Sequence, residues 1–164
     1  MADTSTSESP STAALSGAPG RIALADRVAI ARPDHWFKNV FMLPGAALAL
    51  ILTDDGFAPE LVYLLLGVVS TCLIASANYT INEWWDAEFD RHHPVKRFRP
   101  SAAGRISATA VYVQWALLAL VGTTIAAVIS TKFLLFSGLL LAMGLVYNVK
   151  PLRTKDRQYL DVLS

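Results

Sequence analysis

The chain has 164 residues, 54% of them hydrophobic and only 16% charged, with a mean hydropathy of +0.42. One soluble domain would fit the length, but this apolar content argues against a water-facing surface, and the single Cys72 excludes a disulfide framework. The net charge of +1 says little as a sum; the distribution of charge along the chain carries the information.

Residues 1–26 read as a disordered tail: the first twenty are rich in Ser, Thr, Ala, Gly and Pro and contain no apolar run. Without a hydrophobic core segment, a cleaved secretory signal is not expected. Residues 27–164 read as a transmembrane domain with apolar spans near 39–53, 61–81, 110–130 and 133–149. Two of the four reach the length of about 20 residues that a bilayer core requires. The first contains Pro44 and Gly45, which suggests a kinked or broken helix start. A soluble bundle would need helices with one polar face, yet Leu61 to Ala75 and Ala116 to Ile129 carry no charge on any side. The expected fold is therefore all-α, a polytopic transmembrane helical bundle with four spans here. Cys72, inside the second span, is expected to be a small buried hydrophobe. Trp115, Phe133 and Phe136 are expected to face lipid or pack.

Thirteen of the fourteen Lys and Arg fall in three clusters. Arg21, Arg27, Arg32 and Lys38 precede the first span. Arg91, Lys96, Arg97, Arg99 and Arg105 separate the second from the third, and Lys150, Arg153, Lys155 and Arg157 follow the fourth. Only Lys132 lies on the other side, while the first loop holds Asp54, Asp55 and Glu60 and no cation. The positive-inside rule then places the N terminus, the middle loop and the C terminus in the cytoplasm. A site built from these clusters faces the cytoplasm and borders the lipid of a multi-pass membrane protein.

The second span ends in Asn82-Glu83-Trp84-Trp85-Asp86-Ala87-Glu88-Phe89-Asp90. At about 3.6 residues per turn, Asn82, Asp86 and Asp90 stack on one helix face, with Glu83 on the adjoining edge. Crowded like charges call for a cation. Carboxylates suit Mg²⁺, which binds through one or two of them plus substrate phosphates. Calcium would want a flexible loop of more oxygens, and His92 with His93, being adjacent, make a poor zinc pair. Glu88 points to another face. The plain alternative is a solvated helix end, but Trp84 and Trp85 mark the interface, and Asn78, Asn82 and Glu83 lie on its membrane side. Polar groups at that depth normally line a cavity.

The acids are answered by Arg91-His92-His93-Pro94-Val95-Lys96-Arg97-Phe98-Arg99-Pro100, whose two prolines restrict the loop. Arg offers a bidentate fork for phosphate and Lys a mobile point charge; the alternative is a polybasic patch on anionic lipid. Arg32-Pro33-Asp34-His35-Trp36-Phe37-Lys38-Asn39 opens the first span, and Tyr147-Asn148-Val149-Lys150-Pro151-Leu152-Arg153 closes the fourth. Each alone is an ordinary membrane-end motif; together they bring cations from three helix ends to one pocket.

These three motifs resemble the UbiA superfamily of intramembrane prenyltransferases, over about residues 27 to 163. The acidic stretch is similar to the family's N-D-x-x-D-x-x-x-D motif, and the opening and basic segments most resemble the branch that includes decaprenyl-phosphate phosphoribosyltransferases. The resemblance implies about nine transmembrane helices around a polar chamber in the complete fold. It also implies Mg²⁺ at acidic motifs, an isoprenoid lipid substrate and a phosphorylated or diphosphate co-substrate. No nucleic-acid partner is expected, and the location implied is a bacterial inner membrane.

Carried over by position, Asn82, Glu83, Asp86 and Asp90 are the expected metal–diphosphate motif, with Asp86 and Asp90 the expected catalytic residues. Lys38, Lys96, Arg97, Arg99, Lys150 and Arg153 are the expected phosphate contacts, and Tyr147 a hydroxyl donor. Glu83 departs from the family's usual Asp, so a longer side chain must be accommodated. A second acidic motif does not occur before Ser164, so the resemblance implies an N-terminal half, inactive by itself. The leading expectation is transfer of phosphoribose from phosphoribosyl diphosphate to a polyprenyl phosphate. Prenylation of an aromatic acceptor is the alternative within enzymes, and an ion transporter the alternative outside them.

Overall fold

The computed structural model describes residues 23–52 and 57–148, and every regular element among them is helical. In chain order these are α1 (Leu24–Ala31), a 3₁₀ segment (Pro33–Met42), α2 (Leu43–Leu52), α3 (Phe57–Asp90), a 3₁₀ turn (Lys96–Phe98), α4 (Ala108–Ile129) and α5 (Thr131–Asn148). The expected all-α fold is thus the one observed. Three helices, Leu61–Asp90 within α3, α4 and α5, are long and apolar enough to cross a membrane. Their outward sides are apolar: Leu117, Leu120, Val128, Leu135, Phe136 and Leu139 are all exposed. Such faces suit lipid, where no water is available to reward polar ones.

The first predicted span is not one long helix. Arg32 adopts a left-handed conformation (φ 50°, ψ 56°), ends α1 and turns the chain into the 3₁₀ segment. The αR region is disfavoured for a residue before proline, so Arg32-Pro33 is a natural break. With about three residues per turn, the 3₁₀ segment aligns Trp36 with Asn39 on one face and His35 with Lys38 on the next. The first pair docks on α3: Trp36 Nε1 donates to Ser76 Oγ (2.8 Å) and Asn39 Nδ2 donates to Cys72 Sγ (3.1 Å). Ser76 and Cys72 are themselves one α-helical turn apart. Cys72 is buried, as its apolar setting predicts. Pro44 falls in the first turn of α2, where its missing N–H costs nothing.

The bundle is centred on α3. Its 34 residues rise about 51 Å at about 1.5 Å each, well beyond a hydrocarbon core of about 30 Å. Roughly the 20 residues from Leu61 fill that core, so the acidic turns after Ile81 extend past it. Close approach to α4 depends on small residues. Gly122 lies against Ile74, and its carbonyl accepts from Ser70 Oγ at 2.8 Å. Ala119 and Ala126 are buried one turn to either side, the small-residue spacing by which membrane helices pack. Against α5, Gly144 meets the amide of Asn78, whose Nδ2 donates to the Leu140 carbonyl at 3.0 Å.

The connection between α3 and α4 folds back on the end of α3. Arg91 Nε donates to the Ala102 carbonyl (3.3 Å), Gly104 takes a positive φ of 71°, and Ser107 Oγ caps α4 by accepting from Ala110 N. Ile30 of α1 is sealed into a small core with Ile106, Ala110, Val111 and Trp84. Arg105 Nε donates to Asp26 Oδ1 at 2.9 Å, so α1 is tied to the same loop. Helix α1 begins at Leu24, ahead of the boundary placed at residue 27.

Candidate functional site

The structure divides the four expected metal ligands. Glu83 and Asp90 are buried, at 4% and 5% exposure, whereas Asn82 and Asp86 are half-buried and Glu88 is exposed. Asp90 Oδ2 accepts from Arg99 Nη1 at 2.6 Å, a charge-assisted bond between the ends of the acidic helix and the basic loop. Glu83 Oε1 accepts from the Ser101 backbone N–H at 3.4 Å, and Arg99 and Arg32 lie within electrostatic reach of it. The longer Glu side chain is therefore accommodated by the loop that closes over it. Among the described residues, no group of three or more His, Cys, Asp or Glu converges as a metal cage.

Within the basic loop the expected phosphate contacts separate. Arg99 faces the acids, while Lys96 and Arg97 stand exposed on the 3₁₀ turn, Arg97 4.8 Å above the Phe98 ring. His93 Nδ1 accepts from both Val95 N and Lys96 N at 3.2 Å, so this histidine shapes the loop. Loop closure, with Pro94 and Pro100 at its ends, returns Arg99 to the helix nine residues after Asp90.

A second cationic wall comes from the opening motif. His35 packs edge-on against Tyr79 (centroids 5.0 Å apart, 80°), and the Arg32 guanidinium lies 5.8 Å over the same ring. His35 Nε2 is 3.4 Å from Asp34 Oδ2, and its Nδ1 is enclosed with no hydrogen-bond partner among the described residues. Burial, then the charges of Arg32 and Lys38, hold the His35 pKa below its ordinary value despite the opposing Asp34 carboxylate. Lys38 is exposed on the same face of the 3₁₀ segment.

Tyr79 links this wall to a cavity of about 290 Å³ between α3 and α5. Asn78, Tyr79 and Asn82 line it from α3; Leu140, Met143, Gly144, Tyr147 and Asn148 line it from α5. The spacing 78, 79, 82 continues to Asp86 one turn further along the same side of α3. Asn82 of the acidic motif and Tyr147 of the closing motif thus share one chamber, and the opening motif stands behind Tyr79. Lys150 and Arg153 lie outside the described residues. Arg32, His35 and Tyr79 were not among the expected site residues. Tyr79 was detectable as the residue one turn before Asn82, but its ring partners come from a segment more than forty residues away in the chain.

The described residues thus form a helical bundle of membrane-crossing length with a chamber lined by Asn78, Tyr79, Asn82, Tyr147 and Asn148 between α3 and α5. A sequence profile of the UbiA prenyltransferase family matches residues 41–164, and the chain belongs to that family. It is similar to decaprenyl-phosphate phosphoribosyltransferase of Mycolicibacterium smegmatis, with 32% identity over 79% of this chain and 41% of the relative. It is also similar to the Mycobacterium tuberculosis protein of that name, with 36% identity over 71% of this chain and 39% of the relative. The 4-hydroxybenzoate octaprenyltransferase of Ralstonia nicotianae shows 33% identity over 76% and 42%. The chain thus spans about two fifths of the length of these curated relatives. It is an integral membrane protein by its helices and its family.

Proposed function

We propose that the complete protein transfers phosphoribose from phosphoribosyl diphosphate to a polyprenyl phosphate. The observation that supports this reading is that Asn82 of the acidic motif and Tyr147 of the closing motif line one chamber with Tyr79, whose ring also meets His35 and Arg32 of the opening motif. In this reaction a phosphate oxygen of the lipid forms a bond to the anomeric carbon as the bond to diphosphate breaks. Negative charge accumulates on the leaving group, which cations at fixed positions stabilise. Arg99 is held for this by Asp90 through Nη1, and its planar fork suits phosphate recognition. Lys38, Lys96 and Arg97, all exposed, are assigned to attracting the anionic donor; Lys150 and Arg153 are assigned to the same task by position alone.

Magnesium fits the donor set in part. Asn82 on the chamber wall and Asp86 one turn beyond it supply an amide and a carboxylate oxygen, and Mg²⁺ ordinarily needs no more than this from protein when phosphates complete its shell. Glu83 and Asp90 are engaged by Ser101 N and Arg99 in this structure and extend the acidic edge from there. When bound, the ion would neutralise diphosphate charge. Asp86 and Asp90 remain the residues proposed to be essential.

The N terminus and the basic loop are assigned to the cytoplasmic side of a bacterial inner membrane, supported by the positive-inside count. Cysteines introduced at Lys96 and Lys132 should be labelled by an impermeant reagent from opposite sides. The similarity to a 4-hydroxybenzoate octaprenyltransferase favours aromatic prenylation as the second reading. Membranes carrying the full-length protein, supplied with radiolabelled phosphoribosyl diphosphate and polyprenyl phosphate, should pass label into the lipid phase. No transfer from phosphoribosyl diphosphate, with label instead entering the lipid phase from radiolabelled 4-hydroxybenzoate when a prenyl diphosphate is supplied, would replace the first reading by the second.

A further inference from the structure

A second cleft, of about 410 Å³, lies between α1, the 3₁₀ segment and α4, and shares no lining residue with the chamber. The 3₁₀ segment divides the two: His35 turns to Tyr79, while Trp36 lines this cleft. Both walls are fixed. Trp36 is held through its indole N–H to Ser76, and Gln114 Nε2 donates to the Arg27 carbonyl at 2.8 Å. Because a carbonyl can only accept, that bond also decides the orientation of the Gln114 amide. Its Oε1 is left buried without a donor among the described residues.

Polarity is graded along α4. Gln114 is six residues from the helix start, about 9 Å in, and Leu117 and Leu118 follow about 5 Å deeper. Arg27 stands at the polar end and makes no ion pair among the described residues; Asp26 beside it is taken by Arg105. Val28, half-exposed at 50%, and Trp36 continue the apolar wall. The cleft thus offers, in order from the membrane surface, an unpaired cation, an acceptor lacking a donor, and an apolar slot running down a membrane-spanning helix. A volume of this size is typical of small-ligand sites.

We infer that this cleft is a binding site for one anionic phospholipid with a hydroxylated headgroup. Its phosphate lies against Arg27, a headgroup hydroxyl meets Gln114 Oε1 after a small side-chain shift, and one acyl chain runs along Leu117 and Leu118. The occupant is a bilayer lipid, because the slot opens beside α4 at headgroup depth and is separate from the chamber assigned to substrates. Seated there, the lipid would hold α1, and with it the Asp26–Arg105 tie, against the loop that carries Arg99.

The test is native mass spectrometry of the full-length protein, released from detergent with either phosphatidylglycerol or phosphatidylcholine. One phosphatidylglycerol should be retained in preference to phosphatidylcholine. Arg27→Gln should lower that retention about fivefold, equivalent to roughly 1 kcal/mol for one interfacial cation. Leu118→Trp, which fills the slot, should abolish it, and Lys132→Gln at the far end of α5 should not change it. Thermal melting of each variant separates lost lipid from lost fold. Equal retention of the two lipids, or wild-type retention by folded Arg27→Gln and Leu118→Trp, would overturn the proposal. So would competition by free inorganic phosphate, or a cross-link from a cysteine at 118 to a second copy or to residues 1–22 of the same chain.

Discussion

Gly144→Ala tests how α3 and α5 form the chamber. A Cβ at this position would lie 2.2 Å from both Cγ and Oδ1 of Asn78, and ordinary contact begins near 3.4 Å, so about 1.2 Å of separation must be found. Moving α5 outward by that amount breaks the Asn78 Nδ2 bond to the Leu140 carbonyl, now 3.0 Å. Overpacking of this kind costs about 1–3 kcal/mol. An interhelical hydrogen bond in a membrane adds about 0.6 kcal/mol. Gly144→Ala should therefore destabilise by roughly 2–3 kcal/mol. Asn78→Ala removes the clashing amide and the bond together and should cost about 1 kcal/mol. The double variant should be no less stable than Asn78→Ala alone, because the new methyl enters vacated space. That corresponds to a favourable coupling of about 2–3 kcal/mol. Reversible unfolding in mixed micelles, read by circular dichroism, measures each corner of the cycle. Additive single effects, or a neutral Gly144→Ala, would show that the helices do not meet at this contact.

Three further outcomes follow from the site. Asp86→Asn should abolish transfer of label to lipid by the full-length protein while leaving its membrane insertion unchanged; retained turnover would remove Asp86 from the proposed machinery. Arg99→Gln leaves the Asp90 carboxylate buried without its partner and should cost about 3 kcal/mol, whereas Arg99→Gln combined with Asp90→Asn should recover most of it in the same unfolding assay. His35, held neutral by burial and by Arg32 and Lys38, binds protons less readily folded than unfolded. Stability should be independent of this group above the unfolded value of about 6.5, fall as pH drops below it, and level off below the lower folded pKa. His35→Gln should remove that slope, and an unchanged slope would refute the assignment.

The membrane helices were legible because apolarity around the whole circumference, as in Leu61–Ala75, needs no tertiary knowledge to interpret. The acidic motif was legible for a related reason: its residues share one helix, so spacing alone puts Asn82, Asp86 and Asp90 on one side. The first span was harder. Pro44 and Gly45 signalled a break, and 3₁₀ does give way to α at Leu43, but the earlier change from α to 3₁₀ comes upstream, at Arg32, where a left-handed residue precedes a proline. A hydropathy pattern does not report the sign of φ.

Which side chains meet was beyond a one-dimensional pattern. Asp90 and Arg99 each looked like a ligand-binding group; the returning loop pairs them with each other, a result of its closure geometry. Nothing in the spacing of α3 gives Tyr79 its partners; the 3₁₀ segment brings His35 and Arg32 to its ring. The sequence alone determined the helical class, the membrane setting and which side of α3 Asn82 and Asp86 share, since periodicity places a residue along and around its own helix. Tertiary structure alone decided the partners, through the distance at which helices pack. At Gly122 and Gly144 that distance is set by the absence of a single carbon atom.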